Sequence, residues 1–135
     1  NATYIDMHHS SVISTRPYRG PEVLLEMPWS EQADIWSLGC VLAELYTGSV
    51  LFDARRTLEH LALIERTCGP LPRDVLDRAG RRARKKHLCR SPRGPEGSLR
   101  LDLGALPSES AQRVASQWGL GQLVHEGHEL FGDFL

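Results

Sequence analysis

The sequence predicts a mainly α-helical fold, on three observations. Residues Ala33 to Tyr46 make one unbroken helix-compatible run that stops at Gly48, and Thr57 to Thr67 make a second, ended by Gly69-Pro70-Leu71-Pro72. No segment reads strongly as sheet, Ser11-Val12-Ile13-Ser14 being the only short β-like run.

Taken in order, Asn1 to Pro21 otherwise reads as extended loop. Ser30 is the N-cap candidate for the first long helix, with Glu31 in its first turn. Ile35, Leu38, Leu42 and Leu45 form one apolar face there, and Trp36, Cys40, Val41 and Ala43 fill most of the rest. A helix apolar nearly all round belongs in the centre of a domain. The remaining chain is too short to cover it. The second helix carries Leu58, Leu61, Leu63 and Ile64, and a short third one is expected from Arg73 to Ala79 around Val75 and Leu76. Nine of the sixteen basic residues fall between Arg73 and Arg93, against only Asp74 and Asp77. The preferred reading of Arg78 to Arg90 is a solvated, flexible charged insert; the alternatives are a cluster that holds phosphates or acidic partners and, for Arg81 to Lys86, a nuclear-localisation run. From Gly94 onward glycines are frequent and apolar residues come as isolated pairs such as Leu101 and Leu103, so loops are expected. Glu129 to Leu135 has the spacing of a helix that begins and is cut off.

With 135 residues the chain can form one small domain and not two. Its apolar fraction of 41% and charged fraction of 24% are those of a globular protein. The net charge of −1 leaves no global field to draw in nucleic acid or anionic membrane, so any electrostatic function is local. No apolar run reaches the roughly 18–20 residues of a membrane-spanning helix, and the polar start lacks the pattern of a signal peptide. Cys40, Cys68 and Cys89 fit reduced thiols better than a disulfide framework, and no metal-ligand spacing is present. The pair His8-His9 lacks a third ligand.

Ser14-Thr15-Arg16-Pro17-Tyr18-Arg19-Gly20-Pro21-Glu22-Val23 and then Trp29 to Cys40, containing Asp34-Ile35-Trp36-Ser37-Leu38-Gly39, resemble the end of a protein-kinase activation segment and the helix after it. Gly20-Pro21-Glu22 stands where kinases carry A-P-E. Glu59-His60-Leu61-Ala62-Leu63-Ile64-Glu65-Arg66 is similar to the E-H-L-A-M-M-E-R signature of the LAMMER, or CDC-like, dual-specificity splicing-factor kinases, and Gly69-Pro70-Leu71-Pro72 fits the same family. Weaker echoes continue through Arg100-Leu101-Asp102 and His128-Glu129-Leu130-Phe131. The departures are Gly20 for Ala, Pro17 for a bulkier residue, Ala62-Leu63-Ile64 for A-M-M, and a tail interrupted by Gly119, Gly121, Gly127 and Gly132.

The resemblance implies a partial C-terminal lobe of a protein-kinase fold: residues 1–28 as activation segment and substrate-receiving loop, 29–80 as lobe helices, 81–128 as a basic, Gly-rich insert and 129–135 as the start of a truncated helix. It implies a full-length parent that uses ATP and Mg2+ to phosphorylate serine, threonine and, in a dual-specificity family, tyrosine, on arginine-serine-rich proteins in the nucleus or cytoplasm. Phosphoryl transfer needs a Gly-rich loop, a strand Lys paired to a helix Glu, a catalytic-loop Asp and Asn, and the D-F-G Asp. None of those motifs occurs in these residues. No catalytic or metal-binding residue is therefore assigned, and neither ATP nor Mg2+ is expected on this chain alone. By resemblance Thr15 contacts the catalytic Asp and Lys, and Arg16, Tyr18 and Arg19 shape the floor that receives the substrate. Glu22 would pair with an Arg beyond Leu135, and Asp34 would accept from a catalytic loop outside the chain. Trp36 and Gly39 are structural, Trp36, Leu38 and Leu42 are expected in the core, and Glu59, His60, Leu61, Glu65 and Arg66 carry the signature. A buried carboxylate without its partner costs about 3–5 kcal/mol of the ~5–15 kcal/mol that holds a domain together. Glu22 and Asp34 should thus face water here or leave the chain marginally stable. The competing reading is a non-catalytic kinase remnant that docks peptides. A basic RNA-binding module is weaker, because no aromatics interleave with the basic run.

Overall fold

The fold is taken from a computed structural model that describes residues 16–124. Its helices are α1 (Pro21–Leu24), α2 (Gln32–Thr47), α3 (Thr57–Cys68), α4 (Arg73–Asp77), α5 (Arg81–His87) and α6 (Ser108–Ser116), with strands β1 (Leu88–Arg90) and β2 (Leu99–Leu101) between the last two. Short 3-10 turns occupy Arg16–Tyr18 and Leu103–Ala105, and residues 120–124 form a final helical turn. Thr15, His8-His9, the β-like run at Ser11 to Ser14, and the helix expected at 129–135 lie outside the described residues.

The core is built around α3. Eight of its residues are buried, among them Leu61, Leu63 and Ile64, and Leu25, Phe52, Leu76 and Leu101 close over them. Each such side chain contributes roughly 1.5–3 kcal/mol of burial. The helix ends where expected, at Gly69, whose φ of 97° suits a residue without Cβ.

Helix α2 behaves oppositely. It stops at Gly48 as predicted, with the glycine at φ 80° and its N–H bonded to the Glu44 carbonyl. Its start differs from expectation: Glu31 occupies the cap position without a side-chain bond, and Ser30 contributes only its carbonyl, to Ala33 N–H at 2.9 Å. Of its sixteen residues only Ala33 and Cys40 are buried, while Ile35, Leu38, Leu42 and Leu45 are 55–71% exposed. This corrects the core placement expected for Leu38 and Leu42: the described elements leave most of that face uncovered.

The segment beyond residue 80 corrects the loop expectation. The basic run is helix α5, held by buried Ala83 and by Gly80, whose N–H donates to the Leu25 carbonyl at 2.8 Å. A Cβ on Gly80 would stand 2.7 Å from the Glu26 carbonyl oxygen, so only glycine fits this approach. The strands then pair antiparallel with Leu88 opposite Leu101, both facing the core, and Gly94 and Gly97 at positive φ shape their connection. Three-residue strands allow a single in-out alternation, too little to register as a period. Helix α6, also unanticipated, packs on α3 with Leu106 and Val114 against the core. Gly119 falls between α6 and the turn at 120–124, where the backbone is already non-helical.

Candidate functional site

The candidate substrate floor starts at the 3-10 turn Arg16–Tyr18, where Pro17 supplies a preset φ. Three long-range bonds fix it. Arg16 Nη1 donates to the Arg55 carbonyl at 2.6 Å, the Tyr18 hydroxyl donates to Glu44 Oε1 at 2.5 Å, and Ser37 Oγ donates to the Tyr18 carbonyl at 2.7 Å. The bond to Glu44 raises the Tyr18 pKa, so the phenol stays a donor. Arg19 is half-buried; burial and then the nearby Arg16 charge lower its pKa. The structure thus brings Arg16, Tyr18 and Arg19 together, and couples them to α2 through Ser37 and Glu44.

Beneath the floor lies an aromatic column. The Trp36 ring stacks on Phe52 with centroids 6.1 Å apart and 13° between planes, and Phe52 meets the tilted ring of His60 at 5.7 Å. His60 is 1% exposed and neither ring nitrogen has a hydrogen-bond partner among the described residues. Burial, followed by the Arg16 and Arg19 charges, pushes its pKa down to about 4, so the imidazole is neutral. Phe52 was not singled out in the sequence; a lone Phe in a loop carries no period.

Glu22 lies in α1, two residues after its cap Gly20. A Cβ at Gly20 would sit 2.8 Å from Glu22 Oε1, so the carboxylate folds back over the glycine. It lines a cavity of about 440 Å³ shared with Trp29, Trp36, Pro72 and Arg78, and has no side-chain partner among the described residues. Arg78 faces the same cavity but pairs with Asp74 at 3.3 Å. Asp34 is exposed in the first turn of α2, where a negative charge favours the helix dipole. Gly39 is exposed too, and a Cβ there would meet nothing within 4 Å.

The signature residues of α3 are the opposite case. Glu59 is fully buried and accepts from Ser110 Oγ at 2.6 Å, Arg113 Nε at 2.9 Å and Arg113 Nη2 at 2.7 Å. Arg113, outweighing burial and helped by Ser110, holds the Glu59 carboxyl down at about 2. Ser110 and Arg113 were missed in the sequence, although their i,i+3 spacing on one helix face is a usable signal. Leu61 is core, and Glu65 Oε2 accepts from Leu71 N–H at 2.9 Å, tying the Gly69-Pro70-Leu71-Pro72 stop to the helix. Burial raises the Glu65 pKa. Exposed Arg66 reaches the Ala115 and Gln117 carbonyls.

This arrangement fixes the Arg16–Arg19 segment against α2 and the chain before α3. Among the described residues no group of three or more His, Cys, Asp or Glu could hold a metal ion. No described helix is long and apolar enough to cross a membrane.

Comparison with known proteins agrees with the motifs. The protein kinase domain family matches residues 2–90. The chain is 38% identical over 123 residues to the dual specificity protein kinase lkh1 of Schizosaccharomyces pombe, covering 91% of this chain and 17% of that protein. It is 48% identical over 82 residues to the dual specificity protein kinase CLK1 of Mus musculus, covering 61% of this chain and again 17% of the relative. A solved kinase-domain crystal structure superposes with a TM-score of 0.71 at 39% identity, over 93% of this chain and 35% of that one. The chain therefore spans about a sixth of the length of these curated relatives. Its architecture is that of part of a kinase C-terminal lobe, mainly helical with a small hairpin, and the chain belongs to the protein kinase family, in its LAMMER or CDC-like branch.

Proposed function

We propose that this chain supplies the peptide-receiving floor and helical frame of a kinase that transfers the γ-phosphate of ATP, with Mg2+, to serine and threonine, and as a dual-specificity enzyme to tyrosine. The observation that carries this reading is the floor itself: Arg16, Tyr18 and Arg19 precede Gly20-Pro21-Glu22 and are pinned from behind by Glu44, Ser37 and the Arg55 carbonyl. Thr15, next in line, contacts the catalytic Asp and Lys of the longer enzyme. Glu22 and Asp34 anchor elements of that enzyme, in keeping with their lack of partners here. The arginine-serine-rich substrate class rests on the signature from Glu59 to Arg66, and a nuclear or cytoplasmic location goes with it.

By itself the chain transfers no phosphate. Radiolabelled ATP and an arginine-serine repeat peptide test both halves: a longer product containing these residues incorporates label and the 135-residue chain does not. Arg19→Ala in the active form raises KM for peptide more than it lowers kcat. Label transfer by the short chain, or none by the longer one, overturns the reading. The second reading is a non-catalytic docking module, and inactivity of the longer product would select it.

A further inference from the structure

Helix α5 is a stretch of strongly positive surface that the floor and frame do not use. From Arg78 to Arg93 the chain carries eight Lys or Arg and no Asp or Glu. On α5 the exposed cations are Arg81, Arg82, Arg84, Lys85 and Lys86, and the inward side is Ala83, 1% exposed. Two of the five have structural duties: Arg84 donates to the Asp77 carbonyl, and Arg82 stands 3.9 Å from Glu26 on the surface. Arg81, Lys85 and Lys86 have no hydrogen bond or ion pair among the described residues.

The helix dipole does not account for this pattern. Cations favour the last turn of a helix, which suits Lys85 and Lys86, and are unfavourable in the first, where Arg81 and Arg82 sit with no acidic residue. Nor are there i,i+4 carboxylates to offset them. The helix is instead held rigid by Gly80 under Glu26 and by the buried Ala83 and Leu88, so the charges are presented at fixed spacing.

Resting on the kinase reading above, we propose that α5 binds a segment of protein phosphorylated at alternate residues. Arg81 with Lys85, and Arg82 with Lys86, are i,i+4 pairs whose Cβ atoms lie ~6 Å apart. An extended peptide advances ~3.3 Å per residue and turns alternate side chains to one face, which sets phosphates of every second residue ~6.6 Å apart on that face. Each phosphate carries nearly two charges at neutral pH and accepts bidentate bonds from Arg. In an arginine-serine repeat the arginines point to the opposite face, away from α5. Single-stranded RNA is the poorer fit: stacking platforms need aromatic rings, and no Phe, Tyr or Trp occurs from Arg78 to Leu101.

The test is fluorescence anisotropy on the whole 135-residue chain with a labelled arginine-serine octapeptide carrying four phosphoserines, its unphosphorylated form and an oligouridine. The phosphorylated peptide binds, the unphosphorylated one does not, and Arg81→Gln/Arg82→Gln/Lys85→Gln/Lys86→Gln weakens binding at least about tenfold. A matched loss of four charges at the exposed Arg56→Gln/Arg73→Gln/Arg93→Gln/Arg100→Gln leaves it unchanged, and circular dichroism verifies that both variants stay folded. Equal affinity for both peptides, no effect of the quadruple variant, or tighter binding of oligouridine overturns the proposal. Because binding is read without catalysis, it separates from the kinase reading. A longer product that phosphorylates while α5 fails to discriminate sinks this inference alone, and α5 binding with no transferase activity sinks the other.

Discussion

Helices α2 and α3 both carry family landmarks, yet the structure treats them in opposite ways. Helix α3 has eight buried residues in twelve, and its Glu59 finds Ser110 and Arg113 within the chain. Helix α2 has two buried residues in sixteen, its Asp34 and Gly39 face water, and its apolar side stands open. Both helices are rich in apolar residues, so hydrophobicity alone does not separate them. What separates them is how far their side chains find partners among the described residues. Glu59 has Ser110 and Arg113, while Asp34 has none and α2 is held by helix propensity and by a few inner contacts such as those of Ser37 and Glu44 with Tyr18.

The comparison breaks first on core truncation. Leu61→Ala in α3 removes a fully buried side chain and should lower stability by about 2–5 kcal/mol. Leu42→Ala in α2, where the side chain is 55% exposed, should change it by less than about 0.5 kcal/mol. Urea midpoints for the two variants give the ratio directly, and similar shifts would mean that α2 is covered in solution.

Second comes acid titration, which reads α3 through His60 and Glu59, while His87 of α5, its pKa lowered by burial and Lys86, adds to the His60 effect in the same direction. His60 is held at about 4 in the folded chain against an ordinary 6.5, so the unfolded chain takes up its proton first. Stability is therefore intact above pH 6.5 and falls as pH drops toward 4, by roughly 3 kcal/mol in all. Glu59 runs the other way in sign of charge but not of effect. Its carboxyl is depressed from 4.5 to about 2, so its contribution is present above pH 4.5 and is lost as pH falls through 2. His60→Phe should flatten the upper window and Arg113→Ala the lower one, in thermal melts between pH 7 and 2.

How far these features could be read from sequence follows the same division. The helices α2 and α3, their glycine stops and the short α4 were legible because each is a periodic run bounded by Gly or Pro. The exposure of α2 was not legible: an all-round apolar run reads as core, Trp36, Leu38 and Leu42 included, yet Leu38 and Leu42 are 58% and 55% exposed. Helix α5, the hairpin and α6 were not. Arg81 to His87 has a single apolar residue, Ala83, so its one buried side leaves no stripe. Leu88 and Leu101 are neighbours only after the hairpin closes. Within the candidate site, Tyr18 and Arg16 were placed by motif, but the acceptors Glu44 and Arg55 carbonyl come from elements 26 and 39 residues away. The Glu59–Arg113 pair spans 54 residues. Local patterns do not encode such separations.

A third, smaller effect sharpens the contrast within the buried pair. Glu59→Ala leaves the Arg113 guanidinium, one-third exposed, to find water, and should cost about 2–3 kcal/mol. Asp34→Ala in α2 loses only a favourable first-turn charge, about 0.3–1 kcal/mol and less at high salt. Chemical denaturation at two ionic strengths distinguishes them, since only the Asp34 effect should shrink with salt.

The smallest effect has opposite signs in two glycines. Gly39 sits inside α2 at an exposed position where an added Cβ meets nothing, so Gly39→Ala relieves the entropy cost of a helical glycine and should stabilise the chain by about 0.5–1 kcal/mol. Gly80→Ala instead drives a Cβ to 2.7 Å from the Glu26 carbonyl oxygen and should destabilise it while loosening α5. A gain at Gly39 with a loss at Gly80, read from paired thermal melts, would place the close packing of this chain beneath α5 and not along the open face of α2. A loss at Gly39 would show that face to be occupied, because an exposed helix interior offers no other reason for alanine to be worse than glycine.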